Sequence, residues 1–81
     1  MNLTDLIETS DRLNDEYRSV SKEDGLGILT ALLQELEVNS DELERALEES
    51  DDELGNAALR NNEEAQDALY ALIEDLDDEE E

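Results

Sequence analysis

The chain has 81 residues, 27 of them acidic against five basic and none histidine, for a formal net charge of −22. At 9.1 kDa it holds at most one domain with a modest core. Its charge disfavours nucleic acid and anionic membrane as direct ligands and favours basic proteins and cations. With no cysteine and no histidine, it lacks disulfides, thiolate nucleophiles and the usual ligands of zinc and other transition metals.

Leucine supplies fifteen of the apolar residues, while the β-branched apolar set is limited to Ile7, Ile28, Ile73, Val20 and Val38. Leucine, alanine and glutamate favour helix, proline is absent, and Tyr17 and Tyr70 are the only aromatic residues. The expected fold class is therefore all-α: a small bundle of four main helices, or five, with an aliphatic core over residues 1–76. A disordered acidic C-terminal tail is expected over residues 77–81.

The first helix is expected from about Leu3 to Val20. Leu3, Leu6, Ile7, Leu13, Tyr17 and Val20 share one face, and Asp5, Glu8, Asp11, Asp15 and Glu16 take the other. Asn2 or Thr4 can cap it, and Ser21 with Asp24 has the capping-box spacing for a second helix running to about Glu37.

That second helix is apolar nearly all round. Leu26, Ile28, Leu29, Leu32, Leu33 and Leu36 spread over more than one stripe, so it is either the central helix of the bundle or offers a flank to a partner or a second copy of the chain.

Asn39 and Ser40 then read as punctuation, with Asn39 and Glu42 at capping-box spacing ahead of Leu43, Ala46 and Leu47. Ser50 with Glu53 offers another start, and residues 40–60 fit one kinked helix or two short ones. Asn61 with Glu64 opens the last helix, whose stripe is Ala65, Leu69, Leu72, Ile73 and Leu76. The five carboxylates from Asp77 to Glu81 add nothing apolar and read as a solvated tail.

No catalytic constellation is present, so the chain is expected not to be an enzyme. The carboxylates sit in polar runs, there is no phosphate-binding glycine loop, and no cofactor is implied. The nearest approach to a calcium loop, Asp51 to Asn56, puts leucine at a ligand position and glycine one place early. Arg12, Arg18, Arg45 and Arg60 are expected to pair with carboxylates one turn away, and Lys22 with Glu23 and Asp24. Asp5 and Glu8 interrupt any leader-like apolar run, and Gly25 to Leu33 falls short of the roughly 18 to 20 residues needed to span a bilayer. The expected location is the cytoplasm or the inside of a virion.

Two kinds of function fit. Helices of about 17 residues would be about 25 Å long, and that length of duplex DNA carries roughly 15 phosphates, so a net −22 would match or exceed the duplex in charge per length. In size and charge, though in no motif, the chain is similar to the small acidic DNA-mimic proteins that phages direct against nucleases and other host defences. That resemblance implies an inhibitor that occludes a basic groove. The densest folded acidic stretch, Asp41, Glu42, Glu44, Glu48, Glu49, Asp51 and Asp52, would be the binding face.

The alternative is salt adaptation. One lysine against four arginines, with heavy Asp and Glu, also resembles the proteins of extreme halophiles, in which acidity serves solvation. Function would then rest on the apolar flank of the second helix, in a small structural, adaptor or virion assembly protein. Both readings share non-catalytic binding, to a basic protein surface or to a second copy.

Overall fold

The computed structural model describes residues 2–79, which are all-helical, with no strand among them. Helix α1 spans Leu3–Ser19, α2 spans Leu26–Glu49 and α3 spans Glu53–Glu79, with one 3-10 turn, Lys22–Asp24, between α1 and α2. Side chains define the helix ends. Asn2 Oδ1 accepts from the Asp5 amide at 2.9 Å and Asp52 Oδ1 from the Leu54 amide at 2.8 Å, satisfying first-turn donors that no helical carbonyl can reach. The Ser21 amide donates to Asp24 Oδ2 at 2.8 Å. This capping box holds only the 3-10 turn, after which Gly25, at φ 93°, redirects the chain into α2.

The expected four or five helices are three. Asn39 and Ser40 do not end a helix, and Asn61 does not begin one; all lie well inside α2 or α3. For Asn39 and Ser40 the reason is where their side chains go. An asparagine or serine caps a helix when its side chain folds back on its own backbone. Asn39 instead donates to the carbonyl of Leu6 on α1 at 3.2 Å, and Ser40 Oγ accepts from Gln66 on α3 at 2.8 Å. The tail boundary at 76 also moves, because Asp77, Asp78 and Glu79 continue α3 from Leu76, which packs on the core. Glu80 and Glu81 lie outside the described residues.

The core follows a repeat of alternating three- and four-residue steps on every helix. On α1 the positions are Leu3, Leu6, Ser10, Leu13, Tyr17 and Val20, the last just past its end. On α2 they are Leu29, Leu32, Leu36, Asn39, Leu43 and Ala46, and on α3 Gly55, Ala58, Asn62, Ala65, Leu69, Leu72 and Leu76. Such a repeat keeps one seam facing its neighbours along the whole helix. The helices run up, down and up along a body of 46 × 18 × 17 Å.

Two apolar clusters result. The larger joins Leu13, Leu29, Leu32, Leu33, Leu36, Ala65 and Leu69; the smaller joins Leu6, Leu43 and Ala58. Between them lies a polar layer. Ser10 Oγ donates to Asn62 Oδ1 at 2.8 Å, Asn14 Nδ2 donates to the same oxygen at 2.9 Å, and Asn62 Nδ2 donates to Asn39 Oδ1 at 2.6 Å. Every buried side-chain polar atom among the described residues has a partner.

Candidate protein-binding surfaces

The acidic stretch singled out in the sequence straddles the end of α2 and the turn into α3. Asp41, Glu44 and Glu48 fall at i, i+3 and i+7 on the outer face of α2. Together with Glu49 they are exposed, and they make no hydrogen bond or ion pair among the described residues. Glu42 is half-buried towards the start of α1. Asp51 and Asp52 serve the fold locally: Asp51 Oδ1 accepts from Asn56 Nδ2 at 2.9 Å, and Asp52 caps α3. Asp52 also places its charge at the positive end of a helix dipole.

This stretch is one part of a wider coat. Asp5, Glu8, Asp11, Asp15 and Glu16 on α1 are exposed, as are Glu63, Glu64, Asp67, Glu74, Asp75, Asp77 and Asp78 on α3. Few cations answer them. Among the described residues Arg18 meets Asp15 at 3.5 Å, whereas Arg12, Arg45 and Arg60 form no ion pair, contrary to the local pairs expected for all four. Lys22 reaches across to Asp75 on α3 at 3.2 Å rather than to its chain neighbours Glu23 and Asp24.

The charge density is lower than the sequence estimate. Without Glu80 and Glu81 the net charge is −20 along 46 Å, one charge per about 2.3 Å. Duplex DNA carries one per about 1.7 Å. The bundle is longer than expected because α2 and α3 run unbroken for 24 and 27 residues.

The apolar flank divides. Leu29, Leu32, Leu33 and Leu36 are buried in the core of the single chain, Leu26 is half-buried, and Ile28 remains 52% exposed. Exposed apolar surface lies partly elsewhere: Val38 on α2 is 58% exposed, and Leu54 and Tyr70 are exposed on α3. Tyr70 Oη donates to Glu37 Oε1 at 2.6 Å. That hydrogen bond, followed by the charge of Glu37, raises the phenol above its usual value.

Sequence reasoning missed the polar layer and Val38. The layer was detectable as Ser10, Asn39 and Asn62 falling in step with the leucine repeat; Val38 carried no comparable signal. Among the described residues no group of three or more carboxylates could hold a metal ion, and no helix is long and apolar enough to cross a membrane. No protein-family model, curated protein or solved structure matches the chain.

Proposed function

We propose that the protein is a non-catalytic module that binds the basic surface of a protein partner and occludes it, in the manner of a DNA mimic. The observation that carries this reading is a slender helical body, 46 Å long, with carboxylates on the outer faces of all three helices, most of them without an ion pair among the described residues. Its net charge per length is about three-quarters that of a duplex, below the parity expected from the sequence. A field of one sign steers a cationic partner and speeds association, and added salt weakens it. Asp41, Glu44, Glu48 and Glu49 are the contact residues best placed for this role, because the fold does not use their carboxylates.

The test is displacement. A fluorescent 20-base-pair duplex is held by each of a panel of non-specific duplex-binding proteins in 0.15 M NaCl, and the protein is titrated in. It should release the duplex from at least one of them at concentrations where polyglutamate of equal charge does not. Release equal to that caused by polyglutamate, or none from any member, contradicts the reading.

A second reading has its own support. The carboxylates are spread over every outer face rather than gathered on one, as expected of a surface adapted to concentrated salt. The protein would then be a small structural, adaptor or virion assembly component.

A further inference from the structure

The three seams between helices differ. Gln66 with Ser40 and Tyr70 with Glu37 bridge α2 to α3, and Asn14 with Asn62 joins α1 to α3. Across the α1/α2 seam the one side-chain hydrogen bond among the described residues is that of Asn39 to the Leu6 carbonyl, which is buried beneath the surface. Above it a continuous groove lies open, and its two parts share Ala31 and Glu35.

The lining combines two chemistries. Ile28, Ala31 and Val38 lie along one side of α2, with Val20 at one end of the groove. Ile28 and Val38 are more than half exposed, so the seam leaves aliphatic surface in water where the other seams have polar bridges. Glu35 and Glu42 fall in line with that strip, between and beyond its aliphatic residues, and with Asp15 and Glu16 of α1 they make the lining acidic against Arg12 alone. From Ile28 to Glu42 the groove follows α2 for about 21 Å, roughly four helical turns at 1.5 Å per residue.

We propose that this groove docks a cationic amphipathic helix of a partner protein, completing a four-helix bundle. Such a helix sets aliphatic residues on Ile28, Ala31 and Val38, and places lysine or arginine against Glu16 on the α1 side and against Glu35 between Ala31 and Val38. The charge of the lining selects this occupant. A second copy would bring another −22 and meet the lining with like charge, whereas a basic helix neutralises it. The proposal rests on the reading of a basic protein partner and adds where, and in what conformation, that partner binds.

The probe is a fluorescein-labelled 18-residue peptide of leucine and lysine with its leucines on one helical face. The control has the same composition in an order that gives no apolar face. In 0.15 M NaCl the amphipathic peptide should bind the protein at least tenfold more tightly than the control. The Ile28→Asp/Val38→Asp double variant should weaken it at least tenfold, although it adds two attractive charges. Both positions are exposed, and an unchanged thermal midpoint would show that the variant is folded; the milder Ile28→Gln/Val38→Gln pair serves if it is not.

Equal binding of the two peptides, or undiminished binding to the variant, overturns the groove and leaves attraction by charge alone, the reading from which it started. Failure of the amphipathic peptide to bind also overturns the groove, while duplex displacement still reports separately on that reading. Sedimentation showing a dimer abolished by the double variant would give the groove to a second copy and overturn the proposal.

Discussion

Asn62 on α3 donates from Nδ2 to Oδ1 of Asn39 on α2 at 2.6 Å, with both side chains buried. The pair forms the centre of a layer that reaches α1 through Ser10 and Asn14 and separates the two leucine clusters. An aliphatic seam of nearly identical leucine steps could slide by a heptad at little cost. A buried layer whose donors and acceptors match in one alignment makes every slipped alignment leave polar groups unpaired in the core.

The first prediction follows from that layer. Asn62→Ala strands Asn39 Oδ1 in the core, while the Ser10 hydroxyl falls back on the Ala58 carbonyl at 3.3 Å, and should cost about 1–3 kcal/mol, the range for a buried group left without its partner. Asn39→Ala should cost a similar amount. The double variant should lose less than the sum, because both substitutions remove the same bond. Urea unfolding midpoints measure this; losses near zero for both single variants would show that the layer does not hold the register.

The two glycines flanking Leu26 should respond in opposite directions. Gly25 sits at φ 93°, where a side chain is strained, so Gly25→Ala should destabilise by about 1–3 kcal/mol. Gly27 lies in α2 with open space around its Cα, so Gly27→Ala should stabilise by roughly 0.5–1 kcal/mol. Thermal melts of the two variants test the pair.

How much of this was legible in the sequence can be seen from Asn39. The leucine pattern established the all-helical class and the stripes, and the cap at Asn2 was found where expected, while the box at Ser21 closes only the 3-10 turn ahead of the second helix. The divisions at Asn39 and Asn61 failed because cap spacing records only what a side chain can do locally. Whether Asn39 caps or crosses to another helix depends on a neighbour 33 positions away, Leu6. The apolar flank was hard to assign for the same reason. Leu29 and Ile28 are adjacent in sequence, but only the packing of α1 and α3 decides that one is buried and the other exposed.

Tyr70 yields a prediction about pH. Its phenol is held above 10.0 by the hydrogen bond to Glu37 and then by that residue's charge. A folded-state value above the unfolded one means that the contact contributes stability below about pH 10 and loses it as pH rises through the folded value. In a Tyr17→Phe background, ultraviolet titration should place Tyr70 above the free phenol, and Glu37→Gln should bring it down. An unshifted Tyr70 would show that the contact is not kept in solution.

The end of α3 offers a simple gain. Asp77 and Asp78 lie in its last turn, which holds no basic residue, so they oppose the helix dipole. Asp77→Lys/Asp78→Lys should stabilise by about 0.5–1 kcal/mol in dilute buffer, and by less in molar salt, where the charges are screened. A melt that falls instead would place those carboxylates in a contact that the folded chain needs.

The central claim is that the carboxylate coat serves a partner rather than the solvent, and the thermal midpoint between 0.1 M and 2 M NaCl tests it most directly. A module that meets a basic protein by charge must be folded where charge still acts, and the screening length is about 8 Å near 0.15 M and about 3 Å at 1 M. The expected result is a cooperative melt already present at 0.15 M, with a midpoint that rises only slightly as salt is added. A chain unfolded at 0.15 M that folds steeply in molar NaCl would contradict the claim and assign the charge to salt adaptation.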